Sequence, residues 1–524
     1  MPETRSKQPA IDLNDQFRHA LHVMEETDRS VFITGRAGTG KSTLLTYFRG
    51  LTRKRVAVLA PTGVAALNVK GQTIHSFFRF KPGITLEQVR KRVKDEKKSV
   101  YTRLDAIVID EISMVRADLL DCVDKFLRLN GPCSDEPFGG IQMVFIGDLY
   151  QLPPVVTGAE REIFRTLYQT PYFYSARVFD AFEMEFIELE KVYRQQDADF
   201  ISLLNSIRNN SITPEALTLL NRRVKPDFEP PPDQFYLCLT TTNAMAEEVN
   251  MRRLAALPGR ASAFAGIVAG DFGKEYLPTA IDLGVKAGAQ IMMVNNDTAG
   301  RWVNGSIGKV LHIEKDGGTT PIIIAELADG EEVDISPFTW EISRFYAQGP
   351  QLLSEVVGTF TQYPLMLAWA VTIHKSQGKT FDRVVIDIGK GAFAHGQTYV
   401  ALSRCTTLEG IVLKKPILKQ HIWTDREVVK FLTKYQYRRA DELQPVAGKV
   451  EMIERAIESR ARLRIVYLKP NDEKSARTIQ PREVGEMEYQ GKTYTGVRAF
   501  CFTRGAERVF RVDRILAMEE DSTR

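Results

Sequence analysis

At 524 residues the chain is too long for one ordinary core and calls for three or four folding units. Apolar and charged fractions of 44% and 26% are those of a globular protein, and no run is apolar enough to cross a bilayer, so membrane insertion and secretion are set aside. The net charge is only +4, but it is local: residues 79–98 hold eight basic and three acidic side chains, and 449–524 hold sixteen and thirteen. Local positive charge is what a polyanionic partner needs. The five cysteines lack a C-x-x-C pair or a nearby His cluster, which argues against a zinc site or disulfide framework and for a reducing cytoplasm.

The first strong element is Val31-Phe32-Ile33-Thr34, a β-branched apolar run that predicts a buried strand. Gly35-Arg36-Ala37-Gly38-Thr39-Gly40-Lys41-Ser42 follows, and Thr43 opens a helical register. Strand, G-x-x-x-x-G-K-S and helix together predict a phosphate-binding loop. Its glycines let backbone N–H groups face phosphate, Lys41 neutralises the β and γ phosphates of ATP, and Ser42 offers its hydroxyl to Mg²⁺. In the basic run, Val89 and Val93 are four apart and predict a short helix.

Ala106-Ile107-Val108-Ile109 predicts a second buried strand ending in Asp110-Glu111. In a doubly wound parallel sheet that puts both carboxylates beside the phosphate loop, Asp110 towards Mg²⁺ and Glu111 towards the attacking water. A third strand, residues 143–146, leads to Gly147-Asp148 and to Gln151, placed to sense the γ-phosphate, with Pro153-Pro154 stiffening the exit. Residues 235–239 predict a strand before Asn243. Residues 286–362 are turn-rich and β-like, with Ala328-Asp329-Gly330 as a hairpin turn. From about residue 445 a separate unit begins. Val450, Ile453 and Ile457 mark a helix, and three strands follow, with Gln490-Gly491 as a hairpin turn.

Taken in order, further motifs carry a family resemblance: Leu13-Asn14-Asp15-Gln16, Ala60-Pro61-Thr62-Gly63, Thr73-Ile74-His75-Ser76-Phe77-Phe78, Val192-Tyr193-Arg194-Gln195, Thr372-Ile373-His374-Lys375-Ser376-Gln377-Gly378 and Tyr399-Val400-Ala401-Leu402-Ser403-Arg404. With the loop and the acid pair they resemble superfamily 1 helicases of the Pif-one type over about residues 13–415. The segment 117–140, ending Pro137-Phe138-Gly139-Gly140, is similar to the one that sets that branch apart.

The resemblance implies an α/β fold of two RecA-like motor domains, 1–185 and 186–285 with 363–435. It also implies a small wedge insertion at about 78–100 and an SH3-like β insertion at 286–362. It implies that Gln16 reads the adenine edge and Tyr193 stacks on the base, with Gln377 and Gly378 completing the ATP contacts. Arg194 and Arg404 become arginine fingers, joining Lys41, Glu111 and Gln151 in hydrolysis. DNA contacts fall to Thr62, Gly63, His75, Phe77, Thr372, His374 and Lys375, with Asn243 added, and Phe77 is also open to a core reading. Residues 445–524 resemble a WYL-type domain, a small β-barrel-like fold, although the naming tripeptide here is Thr493-Tyr494-Thr495. Arg477, Arg482, Arg498, Arg504 and Arg511 form either an anion-binding face or a set of structural arginines.

The expected function is an ATP-dependent DNA helicase moving 5′ to 3′ on single strands and unwinding tailed or structured DNA. It would act as a cytoplasmic, nucleoid-associated monomer, with self-association on DNA left open. The alternative is a nucleotide-gated, single-stranded-DNA-binding regulator acting through the WYL-like domain. An exonuclease subunit would need a metal-carboxylate cluster that the sequence does not offer.

Overall fold

The computed structural model describes residues 13–521 except 82, 93–98, 157–163, 232–233, 315–319, 349–350, 390, 392–393 and 490. Two compact units are present, one of residues 1–204 with 214–422 and another of 205–213 with 423–524.

In the first unit, six parallel strands form one sheet: β1 (Val31–Gly35), β2 (Val56–Ala60), β3 (Gln72–Thr73), β4 (Ala106–Ile109), β5 (Gln142–Ile146) and β6 (Glu185–Leu189), in the order β3-β2-β4-β5-β1-β6. β1, β4 and β5 are buried along their whole length, as strands covered on both faces of a parallel sheet must be. Helices α1 (Asp15–Glu26) and α2 (Lys41–Leu51) pack Phe17, Met24, Leu44 and Phe48 against Ile33, Val108 and Val144. Helix α3 (Gly63–Asn68) follows β2 and is capped by the Thr62 side chain. The sheet's last strand runs on to Leu189, just beyond the position at which sequence divides the motor domains.

A second parallel sheet has the strand order Ala370–Thr372, Leu237–Thr240, Val384–Asp387, Ile411–Leu413. Two parallel sheets with helices on their flanks are the RecA-like architecture expected.

The antiparallel part between them starts earlier than residue 286. Ser262–Ala265 pairs with Asp282–Val285, and Ile267–Gly270 pairs with the strand Gln351–Gln362. A five-stranded sheet then runs from Gln290–Met293 through Ile307–Glu314, Ile322–Leu327 and Glu332–Ile335, with Leu365–Leu367 on its far edge. Its hairpin at 328–331 includes Gly330 at φ +86°, as the Asp-Gly turn predicts. In the basic run, Leu86–Gln88 forms a single 3₁₀ turn and Val89 is buried, whereas Val93 lies outside the described residues.

The second unit has a five-stranded antiparallel sheet, with strands Ala506–Arg511 and Ile515–Glu520 at its edges, rather than alternation with helices. Helix Val446–Ser459 buries Ile453 and Ala456 against Leu463, Ile465, Val497 and Val512. Tyr489 pairs with Lys492 and Gly491 has φ +71°, whereas Gln490 of the expected turn lies outside the described residues. No helix among the described residues is long and apolar enough to cross a membrane.

Gly410 enters the strand Ile411–Leu413 where a Cβ would lie 1.9 Å from the Asp382 carbonyl oxygen and 2.8 Å from Cys405 Sγ. Gly410→Ala forces backbone to move and should cost about 1–3 kcal/mol in a denaturant titration.

Candidate nucleotide and nucleic-acid site

β1 ends at the phosphate loop and α2 begins at Lys41, so the sheet aims the loop's backbone at whatever lies beyond its C-terminal edge. Gly38 and Gly40 adopt φ +81° and +87°, and a Cβ on Gly38 would lie 2.5 Å from the Arg194 Cβ. Glycine is needed there for conformation and for space. Lys41 donates from Nζ to the carbonyls of Gly35 at 2.7 Å and Arg36 at 3.0 Å. Burial lowers its pKa, while Asp148, Glu111 and Asp110 oppose that shift. The ammonium is thus held in the loop, facing three acids.

Asp110 and Glu111 follow β4, and Glu111 sits in the left-handed region at φ 51°. A non-glycine residue there is strained, and such strain clusters at functional sites. Burial raises Asp110 to about 6 and Glu111 to about 7. For Glu111 the charge of Asp110 adds to the rise, and Lys41 and Arg404 counter it. Glu111 accepts a hydrogen bond from Gln377 Nε2 at 3.0 Å, and the same amide reaches Gln151 Oε1 at 3.4 Å. Gln151 donates to Asp148 at 3.1 Å. Gln377 comes from the second sheet, so this chain of amides and acids crosses the cleft.

The two arginines also reach this place. Arg404 is 1% exposed, and it donates to the Val400 carbonyl at 2.9 Å, to Ser403 Oγ at 3.0 Å and to the Lys379 carbonyl at 3.3 Å. Burial first, and then Arg194, push it down to about 9, which leaves it charged at neutral pH. Arg194 donates to the carbonyls of Ser403 at 3.1 Å and Gly378 at 3.5 Å. Two contacts carry no sequence signal beyond motif membership. The Tyr399 hydroxyl accepts the Ala37 N–H at 3.0 Å, and Gln195 donates to the carbonyls of Ser403 and Cys405 at 3.1 and 2.9 Å.

On the far side of the loop, the Gln16 amide bonds Glu190 through both of its ends, at 3.2 and 2.9 Å. Tyr193 is exposed, donates its N–H to the Gly38 carbonyl at 2.8 Å, and accepts from Asn14 at 3.1 Å. Phe17 closes the floor, 3.3 Å from where a Gly40 Cβ would stand. The Lys191 ammonium lies 5.3 Å from the centroid of the Tyr193 ring, which stands beside the loop of donors. Ser42 and Thr43 open α2 and are exposed.

The candidate DNA residues divide. Thr62, Asn243 and Lys375 are exposed, His75 and His374 are half-buried, and Gly63 is buried as backbone at the start of α3. Burial lowers the pKa of His374, so its ring is neutral. Phe77 is corrected to core: it is 5% exposed and packs edge-on against Phe78 at 4.9 Å and Tyr101 at 5.5 Å. In the short helix Ile74–Phe78 it shares the inward face with Ile74, which leaves His75 outside. Thr372 is also buried, at the end of the sheet's edge strand Ala370–Thr372, where its hydroxyl accepts the Lys375 N–H at 3.2 Å. Thr242 was missed. It caps helix Asn243–Ala256 two residues after a strand, as Thr62 caps α3 two residues after β2.

In the second unit the five arginines do not form an open cationic face. Arg482 pairs with Glu507, Arg498 with Glu483 at 3.7 Å and Arg511 with Asp513 at 2.6 Å. Arg477 approaches Cys501 Sγ at 3.9 Å, and Arg504 is exposed. Arg511 also lies over the Tyr494 ring at 5.1 Å.

Residues 13–216 match the family described as PIF1-like helicase, and 448–520 match the WYL domain. The chain is 33% identical over 467 residues to "ATP-dependent DNA helicase PIF1" of Emericella nidulans, covering 75% of this chain and 59% of that one. It is 31% identical to "ATP-dependent DNA helicase Pif1" of Bdellovibrio bacteriovorus, covering 77% of this chain and 88% of the relative. A solved Bacteroides sp. Pif1 is 35% identical over 82% of this chain and 98% of its own, with a TM-score of 0.73 unliganded and 0.60 in a complex with ADP-AlF3 and single-stranded DNA. The chain spans about three fifths of the length of the fungal, frog and human relatives.

The raised acids predict a pH effect. A carboxyl whose folded pKa exceeds its unfolded one contributes stability that is present at low pH and lost as pH rises through the folded value. For Glu111 that window runs from about 4.5 to about 7. Glu111→Gln removes the ionisation, so thermal melts without nucleotide should find the variant more stable than the parent at pH 8, with the gap largely closed at pH 5.

Proposed function

Because the chain belongs to the PIF1-like helicase family, we propose that it is an ATP-dependent DNA helicase, with ATP hydrolysed between two RecA-like domains. One observation carries the reading most: Gln377, Arg194 and Arg404 are assembled with the second sheet's loops yet bear on Glu111 or the phosphate loop of the first. A site split in this way hydrolyses ATP only when the domains approach, which ties chemistry to movement.

In this mechanism Lys41 leaves the loop carbonyls for the β and γ phosphates, and loop N–H groups bind the remaining oxygens. Glu111 takes the proton from the water that attacks the γ-phosphorus, and a pKa of about 7 suits a base working near neutral pH. Gln151 and Gln377 orient that water. Arg194 and Arg404 donate to the γ-phosphoryl oxygens as charge builds there, and ADP leaves with the bond electrons. A hydroxyl at a helix start and a buried carboxyl that, with a pKa of about 6, is ionised at neutral pH form an oxygen donor set that fits a hard divalent cation. Ser42 and Asp110 would hold Mg²⁺, which supplies neutralising charge to the phosphates.

Tyr193 stacks on the base, with Gln16 and Asn14 at its edge. DNA passes over the helix starts at Thr62 and Thr242, with His75, Asn243, His374 and Lys375 beside them. We place the first motor domain on the six-stranded sheet and the second on the four-stranded one. The β structure between 262 and 367 is an SH3-like insertion, and the C-terminal unit is an appended domain. One copy holds the whole hydrolytic set, so a monomer suffices. Movement is 5′ to 3′, as the family resemblance implies. The regulator alternative has less support, because three of the C-terminal arginines are already paired with carboxylates.

The test is ATP turnover measured with single-stranded DNA, duplex DNA, RNA and no nucleic acid. Strong stimulation by single-stranded DNA is expected, and a rate indifferent to nucleic acid would overturn the motor reading. Lys41→Ala should lower turnover by about 100-fold or more, and Glu111→Gln should do so while sparing ATP binding. Duplexes tailed at the 5′ end should unwind faster than those tailed at the 3′ end.

A further inference from the structure

Gln377, Gly378 and Lys379 are consecutive, and each engages a different part of the motor. Gln377 donates to Glu111 at 3.0 Å, and the Gly378 carbonyl accepts from Arg194 at 3.5 Å. Lys379 turns away from the cleft and is 9% exposed. Its ammonium donates to Asn304 Oδ1 in the β insertion, and Asn304 Nδ2 donates to Asn68 Oδ1 at 2.8 Å. Asn68 is the last residue of α3, whose first turn is the Thr62-Gly63 backbone assigned above to DNA.

The middle joint of this chain is anchored, while the Asn304–Asn68 bond lies at the surface. Asn304 is held by its own N–H, which donates to Asn296 Oδ1 at 2.7 Å. Gly305, at φ +105°, runs beside the aliphatic stem of Lys379, 3.5 Å from where a Cβ would stand. An ammonium withdrawn from water onto an amide oxygen is a costly arrangement unless its geometry is held by the surroundings. α3 is short, six residues or about 9 Å, so a pull at Asn68 is felt at Thr62.

We infer that Lys379, Asn304 and Asn68 form a three-residue coupling link that carries the state of the nucleotide cleft to the DNA-contacting start of α3. Lys379 is a positioning residue: it touches neither nucleotide nor DNA. When phosphate draws Arg194 into new contacts and Glu111 turns to the attacking water, residues 377 and 378 move with them, and Lys379 transmits that shift through Asn304. In the reverse direction, DNA seated at Thr62 restrains Asn68 and hence Gln377 at the hydrolytic acid. The link is a discrete hydrogen-bonded path between two sites, and what it carries is a coupling free energy.

The inference rests on the motor reading, and the experiment separates the two. ATP turnover of the full chain is measured without DNA and with saturating oligothymidylate, for the parent and for Lys379→Met, Asn304→Ala, Asn68→Ala and the Lys379→Met/Asn68→Ala double variant. Basal turnover should stay close to the parent's, and the stimulation ratio should fall by about 5-fold or more in each single variant. The double variant should be no worse than the more affected single, because the residues share one path. Full stimulation in the single variants, or additive losses in the double, would overturn the link while leaving the motor intact. A parent that oligothymidylate does not stimulate would overturn the motor reading and the link with it. Should Lys379→Met fail to fold, Asn68→Ala at its exposed site and Asn304→Ala carry the same comparison.

Discussion

Two adjacent carboxylates, Asp110 and Glu111, are held at the end of a fully buried strand, and their desolvation governs the charge state of the whole cleft. Burial withholds water from them and Lys41 offsets this only in part, so each carboxyl gives up its proton at a higher pH than usual. Arg404 contributes charge from the opposite sheet. The site is therefore electrostatically incomplete within either domain. Positive charge on one side and acids on the other favour approach of the two sheets, and a bound triphosphate with its cation would rearrange that balance rather than create it.

The same constraint explains how the groups are engaged with one another and with backbone carbonyls. Lys41 donates to loop carbonyls, the Ala37 N–H to Tyr399, Arg194 to carbonyls of Ser403 and Gly378, and Gln377 to Glu111. An unpaired buried donor would cost about 1–3 kcal/mol, so each has found a protein acceptor. Phosphate must exchange these bonds for its own, which are charge-assisted and stronger. Exchange is what makes binding directional: the arginines let go of their own loops only for an oxygen placed across the cleft.

Much of this was legible from sequence because the chemistry is local. The loop, the acid pair and the arginines lie within short motifs whose flanking strands are strongly apolar, and β1, β4 and β5 fall where those runs predict. Phe77 and Thr372 were misread because both lie in very short elements. In the five-residue helix no periodicity identifies the inward face. The three-residue strand is buried at every position, so a polar residue at its end gives no sign of facing solvent or core. The β material before residue 286 was missed because strand Ile267–Gly270 is exposed along its length and lacks alternation. Lys379 gave no signal at all, since its partners Asn304 and Asn68 are 75 and more than 300 positions away.

The two sheets present the same device, a strand, then two residues later a threonine whose hydroxyl caps a helix. On the proposed motor reading these are two grips on DNA, and a motor cannot step if both tighten and relax together. What breaks the symmetry is how the two helices are anchored. α3 ends on Asn68, which reaches through Asn304 to the nucleotide-facing segment 377–379. Helix Asn243–Ala256 is tied within its own sheet, where Asn250 bonds both the N–H and the carbonyl of Ala370 at 2.9 and 2.8 Å. One grip is thus wired across the cleft and the other is fixed to its strand. Under the proposed mechanism, closing the cleft would shift the first grip while the second holds its place, which is the minimum asymmetry that directed movement along a strand requires.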